Sequence, residues 1–189
     1  MNRKIAIFCG SSVPHNMEYL IAARELGTLL ARNGDTVVYG GSNLGLMGEI
    51  SGAAMKAGGN VIAIIPSFFS EDIIMSQPVT ELIRVKSMAE RKEMMIAMCD
   101  IFVALPGGIG TLDEILEVMV ANQLKQTKKA DGTPLPCGKP ICLFNPDGFF
   151  DSFYAMMDKM GENGFFRSGK CPEVSNIQTL NQLMSFING

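Results

Sequence analysis

The chain of 189 residues is poor in residues that mark several common kinds of catalytic or metal site. It has one histidine, His15, which excludes most zinc sites and most Ser-His-Asp arrangements. Its five cysteines are an odd number and form no CxxC pair. Unpaired thiols are typical of a reducing compartment, so we expect reduced cysteines and a cytoplasmic protein.

The chain also lacks an excess of positive charge and any long apolar run. Its net charge is −3 at pH 7, so it has no basic field with which to bind a nucleic acid. No apolar run approaches the ~20 residues of a membrane-spanning helix. The apolar stretch at 5–9 is shorter than the hydrophobic region of a signal peptide and is better interpreted as a strand. We therefore expect neither a nucleic acid nor a membrane as a partner.

The chain does contain a regular alternation of apolar, β-rich runs and helical patterns. The strands are predicted at 4–10, 36–41, 61–66, 81–85, 101–106 and 140–145. The helices are predicted at 17–33, 45–57, 87–99, 111–124, 148–161 and 176–187. This alternation, with strands apolar on both faces, predicts an α/β fold with a doubly wound parallel sheet covered by helices on both faces. We find no repeat and no linker, and expect one domain over 1–189. Ser87 and Glu90 predict a capping box at the third helix.

Two glycine-rich loops follow predicted strands, at 39–48 and 105–111. Parallel sheets bind ligands at the carboxyl ends of their strands, so both loops are expected at one edge. Glycines let backbone N–H groups converge on an anion at a helix N-terminus, and a threonine hydroxyl adds a donor. The residues concerned are Gly40, Gly41, Gly45 and Gly48 in the first of these loops, and Gly107, Gly108, Gly110 and Thr111 in the second. Either loop alone is as compatible with tight turns and close helix packing, but two together favour a phosphate ligand.

Neither loop matches a common nucleotide-binding motif. Gly45 is followed by Leu46 and Met47, where a P-loop has lysine and serine or threonine. The loop after the first strand has one glycine, and the second strand has no terminal acid for a ribose diol, so the dinucleotide fingerprint is absent. The sequence therefore favours a mononucleotide or a sugar phosphate as ligand, and we expect no cofactor and no metal.

Charged residues stand close to the 105–111 loop. A phosphate on this loop would leave a ribose within reach of Glu114, where a carboxylate can orient water or stabilise an oxocarbenium ion. Compensation of the helix dipole is the simpler explanation for Asp113, Glu114 and Glu117. The segment SMAERKEMM offers Arg91 and Lys92, of which Arg91 is better suited to a fixed planar contact. A solvated helix face is the alternative for both.

Taken together, these motifs resemble those of one family. The segment PGGIGTLDE (106–114) is similar to the PGGxGTxxE signature of the lonely guy family, the cytokinin riboside 5′-monophosphate phosphoribohydrolases, long mislabelled as lysine decarboxylases. The other matching segments follow in the family's order and spacing: FCGSS (8–12), VYGGSNLGLMGEI (38–50), VIAIIP (61–66), ERKEMM (90–95) and NPDGFFDSF (145–153).

The resemblance implies a Rossmann-like homodimeric hydrolase without a cofactor. Such an enzyme cleaves the N-glycosidic bond of a nucleoside 5′-monophosphate, either AMP or a cytokinin riboside 5′-monophosphate, to free base and ribose 5-phosphate. The family's catalytic pair falls on Arg91 and Glu114. We assign substrate binding to Gly41, Ser42, Gly45, Met88, Lys92, Gly107, Gly108, Gly110, Thr111 and Glu117. Where the family commonly has tryptophan this chain has Ala121, so we expect a changed base pocket and activity on plain AMP.

Two other functions, a non-catalytic carrier and a decarboxylase, are alternatives to the hydrolase, and the sequence also predicts a homodimer. A non-catalytic carrier of a nucleotide or of molybdenum cofactor could use the same loops, but it would gain little from an acid near a phosphate. A decarboxylase would need a lysine for pyridoxal phosphate, and Lys92 is the only candidate beside a motif. Homodimerisation is expected from apolar helix residues beyond the needs of one core: Met88, Met94, Met95, Met98, Met119 and Val120.

Overall fold

The computed structural model describes residues 2–69, 78–124, 138–166 and 173–189. The strands in these ranges are β1 (Lys4–Phe8), β2 (Thr36–Tyr39), β3 (Asn60–Pro66), β4 (Glu81–Val85), β5 (Ile101–Ala104), β6 (Ile141–Phe144) and β7 (Ser175–Ile177). The α-helices are α1 (Glu18–Arg32), α2 (Gly45–Lys56), α3 (Met88–Met98), α4 (Ile109–Gln123), α5 (Asp151–Glu162) and α6 (Leu180–Asn188). Their alternation confirms the predicted α/β class.

The strands form one sheet in the order β4-β3-β2-β1-β5-β6-β7, and all neighbouring pairs are parallel. Strands β2, β3 and β4 follow β1 in order on one side of it. Strand β5 then pairs with β1 on the other side, and β6 and β7 follow β5 in order. Ile5 lies opposite Ile101 and Phe8 opposite Ala104 in this central pair. The strand order reverses between β1 and β5, so the loops that follow these two strands flank the crevice where such sheets bind ligands.

Both faces of the sheet are buried, which explains why the strands are apolar at consecutive positions. Side chains alternate between the faces, so Ile5 and Ile7 belong to one core cluster and Ala6 and Phe8 to the other. The first cluster includes residues of α1, α2 and α6, and the second includes residues of α3, α4 and α5. The sheet is therefore doubly wound, as predicted.

The C-terminal prediction was wrong in part. Residues 175–177 form β7, and α6 begins at Leu180 rather than near residue 176. A three-residue strand is too short to show a period, whereas Thr179 and Gln182 form a complete capping box that marks the start of α6. The Ser87 prediction was right for one bond only. The Ser87 hydroxyl accepts from the N–H of Glu90, but the Glu90 carboxylate accepts from the N–H of Lys86 rather than that of Ser87.

Three cysteines in the described ranges, Cys9, Cys99 and Cys142, are buried and form no disulfide. Cys137 and Cys171 lie outside the described residues, as does most of the loop at 125–139. None of the helices in the part of the chain that the structure describes is long and apolar enough to cross a membrane.

Helices α1 and α2 approach each other closely at Gly27 of α1. A Cβ at this position would overlap the backbone carbonyl oxygen of Ile50 in α2 and lie 3.2 Å from the N atom of Ala54. Backbone atoms cannot rotate away as a side chain can, so the two helices approach this closely only because residue 27 is glycine.

Gly27→Ala should therefore lower the free energy of unfolding by about 1–3 kcal/mol, the usual result of overpacking, measured by urea denaturation. In an open helix position the same change is expected to stabilise by up to ~1 kcal/mol. Gly161→Ala in α5 is the matched control, because its Cβ would meet only the Phe166 ring at 3.5 Å. A Gly27→Ala variant as stable as the control variant would contradict this account of the α1–α2 contact.

Candidate active site

A cavity of about 690 Å³ opens at the carboxyl edge of the sheet. Its walls come from the loops after β1, β2, β5 and β6, from the end of β3, and from one side of α3 and α4. It lies over the crevice between β1 and β5, where the strand order predicts a ligand. The volume is within the range typical of small-molecule sites.

The loop after β5 exposes backbone donors to this cavity. Helix α4 begins at Ile109, two residues earlier than predicted, with Gly108 as its N-cap. A Cβ at Gly108 or Gly110 would meet no atom within 4 Å, so the backbone is open on this side. In the described ranges, the N–H groups of Gly108, Ile109 and Gly110 have no hydrogen-bond acceptor. With the positive end of the α4 dipole, they form a site suited to an anion.

The neighbouring glycine, Gly107, allows two loops to approach each other. A Cβ at Gly107 would overlap the Thr111 hydroxyl and lie 2.8 Å from the Gly10 N atom. The N–H of Gly10 donates to the carbonyl of Pro106 at 3.1 Å, which joins the loops after β1 and β5. Thr111 is buried and lines the cavity beside the open N–H groups.

The loop after β2 supports the site rather than repeating this arrangement. The N–H groups of Leu46 and Met47, in the first turn of α2, donate to the Gly10 carbonyl at 3.0 and 3.4 Å. Gly45 has a φ of +57°, and its Cβ would lie 2.5 Å from the Ser12 carbonyl oxygen. A Cβ at Gly48 would overlap the carbonyl of Asn43. The structure therefore gives Gly45 and Gly48 packing roles, and of the residues predicted in this loop it places Gly40, Gly41 and Ser42 on the cavity wall.

Arg91 and Glu114 meet at the floor of the cavity. Arg91 follows the Ser87 cap of α3, and Glu114 lies in the second turn of α4. Their exposed fractions are 6% and 3%, and the Arg91 Nη2 atom forms an ion pair with Glu114 Oε1. The Arg91 Nε–H is buried and has no partner among the described residues. Gly40 leaves room for the guanidinium, because a Cβ there would lie 3.1 Å from Nη1.

Burial changes the acidity of the groups around this pair. Desolvation raises the pKa of Glu114 to about 7, even though the Arg91 charge acts in the opposite direction. The Glu114 carboxyl can therefore exchange a proton near neutral pH. Burial, assisted by the charge of Glu114, also raises the pKa of the Cys9 thiol well above its usual range. Cys9 consequently stays protonated and is not a nucleophile at neutral pH.

Other predicted site residues divide into two groups. Met88 lines the cavity. Lys92 and Glu117 do not line the cavity. The Lys92 ammonium instead forms ion pairs with both Asp113 and Glu117. These bonds link the two helices that carry Arg91 and Glu114.

Several wall residues were missed or misplaced by the sequence analysis. Tyr19, Phe69 and Phe149 line the cavity, although none was predicted to bind the ligand. The NPDGFF motif at 145–150 was the one available signal for Phe149. Ala121, where we expected a changed base pocket, is buried and is not among the residues that line the cavity, and the expected activity on plain AMP stays a prediction.

Solved structures share this fold. The molybdenum cofactor binding protein from Rippkaea orientalis has a TM-score of 0.72 at 22% identity, and the match covers 100% of this chain and 96% of that one. The Moco Carrier Protein from Chlamydomonas reinhardtii has a TM-score of 0.71 at 21% identity, with the same coverage of both chains. At identities this low the structural matches establish the fold alone, and they confirm the Rossmann-like prediction.

Sequence comparison identifies relatives that are more similar. A family described as "Possible lysine decarboxylase" matches residues 47–186. Cytokinin riboside 5′-monophosphate phosphoribohydrolase LOG of Oryza sativa subsp. japonica is 40% identical over 163 residues, which are 86% of this chain and 63% of that protein. LOG1 of Arabidopsis thaliana, with the same enzyme name, is also 40% identical, and the match covers 86% of this chain and 72% of that protein. The chain thus spans less than two thirds of the rice relative, and it belongs to the lonely guy family.

Proposed function

We propose that the protein hydrolyses the N-glycosidic bond of a nucleoside 5′-monophosphate, releasing the free base and ribose 5-phosphate. The observation that carries the proposal is the buried Arg91–Glu114 pair beside open helix N–H groups in one cavity. An anion site next to a buried carboxylate suits a ligand that carries a phosphate and that develops positive charge when its reacting bond breaks. The names of the rice and Arabidopsis relatives support the same reaction.

The proposed reaction implies one orientation of the nucleotide in the cavity. Its phosphate binds the N–H groups of Gly108, Ile109 and Gly110 at the positive end of the α4 dipole, with the Thr111 hydroxyl beside them. Glu114 lies farther along the same helix, and its charge acts on Cys9 at the end of β1. The ribose therefore extends from the phosphate toward Glu114, and C1′ lies near its carboxylate.

Glu114 and Arg91 then have distinct roles in bond cleavage. As the bond from C1′ to the base nitrogen breaks, its electron pair leaves with the base and positive charge develops on the ribose. The Glu114 carboxylate stabilises that charge and accepts a proton from the water that adds to C1′. The departing base takes up a proton, which balances the reaction. Arg91 holds the carboxylate in place and favours its ionised form, against the effect of burial.

The two alternatives receive less support from the site. A passive carrier has no use for a buried carboxylate beside its anion, because the two negative charges repel each other. The likeness to molybdenum cofactor proteins is one of fold. For a decarboxylase, Lys92 is engaged by two carboxylates, and no lysine is among the described residues that line the cavity.

Product analysis is the direct test of the reaction. Incubation with AMP should release adenine and ribose 5-phosphate, both resolved by chromatography. Adenosine should be a poor substrate, since it lacks the phosphate that the α4 N-terminus binds. Formation of adenosine and inorganic phosphate from AMP would show a phosphatase and would overturn the proposal.

Removing either member of the ion pair should slow turnover. Glu114→Gln and Arg91→Ala should each lower kcat by about 10²-fold or more, the range for a positioned acid-base or charge-stabilising group. Arg91→Lys keeps the charge but not the planar fork and tests whether orientation matters. Glu117→Gln, outside the cavity, should lower kcat less than about tenfold. Wild-type turnover by correctly folded Glu114→Gln protein would remove Glu114 from the mechanism.

The raised pKa of Glu114 predicts how activity depends on pH. The mechanism uses the carboxylate, whose fraction falls as pH drops through about 7. The kcat/KM for AMP should therefore fall ~tenfold per pH unit on the acid side of this pKa and level off above it. A steady-state profile from about pH 5 to 9 measures this. A rate that instead decreased as pH rose through 7 would mean that the protonated acid is the active form.

We also propose that the protein is a homodimer. Two of the residues expected at the interface, Met95 and Met119, are instead buried in the chain's own core. The better support is a stripe on the outer face of α4, where Leu116, Val120 and Leu124 are 41%, 49% and 45% exposed. Apolar residues repeated every fourth position along an exposed helix face are typical of an interface. The cytoplasmic location stays a prediction.

Light scattering should give about twice the 20.4 kDa chain mass at micromolar concentration. Val120→Glu places a charge in the middle of the stripe and should shift the protein to monomer. Ile21→Glu is the matched control, because Ile21 is 49% exposed on α1, which packs on the opposite face of the sheet from α4, and its replacement should leave the dimer intact. A wild-type monomer would count against this assembly.

A further inference from the structure

Lys139 is a buried lysine outside the cavity that the proposed reaction does not use. Its side-chain ammonium donates to the backbone carbonyls of Ile96, Ala97 and Cys99 at 2.7, 3.1 and 2.6 Å. These carbonyls belong to the last turn of α3 and to the residue that caps it. The last carbonyls of a helix have no acceptor role within the helix itself, so the ammonium satisfies groups that would otherwise lack a donor.

The backbone of the same residue holds the end of the neighbouring helix. Asn122, in the last turn of α4, accepts from the N–H of Lys139 at 3.0 Å and donates to its carbonyl at 2.8 Å. Gly138 allows this approach, because its φ is +76° and a Cβ there would overlap the Asn122 side chain. Lys139 and Asn122, which we call the Lys139 clamp, therefore join the C-terminal ends of α3 and α4.

The clamp is also attached to the sheet. The carbonyl of Pro140, the next residue in the chain, accepts from the N–H of Phe102 in β5 at 2.9 Å. Strand β6 begins one residue later, at Ile141. The ends of both helices are thus fixed relative to two central strands and not only relative to each other.

A buried ammonium at this position is costly, and its bonds indicate what it contributes. In the ranges that the structure describes, Lys139 forms no ion pair with a carboxylate. Asp100 acts on its charge, but the Asp100 carboxylate accepts instead from the N–H of Lys4. An apolar side chain would fill the space without this desolvation cost. It could not bond three carbonyls at once, which fixes both the rotation of α3 about its axis and its sliding along that axis.

Rotation and sliding at one end of a stiff helix reach the other end undiminished. Arg91 lies about 10 Å from the C-terminal end of α3, at 1.5 Å per residue. Its contact with Glu114 depends on how α3 is rotated and placed against α4. Near the cavity, Lys92 joins the helices through Asp113 and Glu117, whose side chains are 55% and 36% exposed. Ion pairs this open to solvent are weak, so they do not fix the rotation by themselves.

We propose that Lys139, together with Asn122, is a positioning residue that sets α3 against α4 and so aligns the Arg91 guanidinium with the Glu114 carboxylate. The proposal rests on the proposed function for the role of that pair in turnover. A displacement of about 1 Å caused far from the chemistry can lower a rate by up to 10²-fold. The clamp therefore affects turnover although neither of its residues touches the ligand.

The first test measures kcat and KM for AMP in two clamp variants. Lys139→Met removes the ammonium at similar length, and Asn122→Ala removes both bonds to the Lys139 backbone. Each should lower kcat about tenfold and leave KM within about threefold, because the phosphate site at the α4 N-terminus is intact. The double variant should lose less than the product of the two effects, since both changes break one clamp.

Gly27→Ala is the matched control for loss of stability. It is expected to destabilise the protein through the α1–α2 contact, on the opposite face of the sheet from α3 and α4. Below its melting temperature it should therefore keep the wild-type kcat. Circular dichroism verifies that each variant is folded at the assay temperature, and if Lys139→Met does not fold, Asn122→Ala decides the question.

The acidity of Glu114 gives a second readout, which a merely structural role would not change. Burial and Asp113 raise the pKa of this carboxyl, whereas Arg91 and Lys92 lower it, and the Cys9 thiol faces it from the end of β1. A misaligned guanidinium lowers the pKa less. The acid limb of the kcat/KM profile should therefore move to higher pH in both clamp variants and stay in place in the control variant. NMR titration of the carboxyl carbon measures the same shift without substrate.

Two results would overturn the positioning role. One is turnover and a Glu114 titration that match the wild type in every folded clamp variant, and the other is a change of equal size in Gly27→Ala. If the wild type released no base from AMP, the proposed reaction would fail, and the NMR titration would still decide whether the clamp aligns the ion pair.

Discussion

The ion pair between Arg91 and Glu114 is the interaction on which the rest of the site depends. Two buried charges in one cavity are stable only if each remains beside the other, because removing one partner leaves the second without compensation. The fold fixes them from several directions. Ser87 caps the start of α3, and the buried Lys139 ammonium donates to the carbonyls of Ile96, Ala97 and Cys99 at its end. Both charges therefore stay in the cavity before any ligand binds.

One turn of helix α4 separates its N-terminus from Glu114. The end of the helix offers three N–H groups and a positive dipole to a phosphate, and the next turn presents the carboxylate. Gly107 and Gly45 let the surrounding loops approach closely enough to support that end. In the proposed reaction, one rigid element therefore holds the phosphate site and the carboxylate at a fixed separation, which is what efficient positioning requires.

The sequence predicted the alternating α/β pattern and the glycine loop before Glu114, because both depend on residues close together in the chain. It could not distinguish glycines that bind from glycines that pack. Gly108 and Gly110 face open space, whereas Gly45 and Gly48 lie against the backbone of other residues, and those neighbours follow only from the tertiary structure. The place of Phe149 in the cavity wall was hidden for the same reason, since the Tyr19 ring that it packs against is distant in sequence. The prediction for Ala121 relied on the family's pattern alone, and the cavity of this chain does not include that residue.

A crystal structure of Glu114→Gln protein with bound AMP would test the central claim, that α4 binds the phosphate and presents its side chain to C1′. The account predicts the phosphate within ~3 Å of the N atoms of Gly108, Ile109 and Gly110, with C1′ beside residue 114. A nucleotide bound in the reverse direction, with its base on the α4 N-terminus or its phosphate against α2, would contradict it.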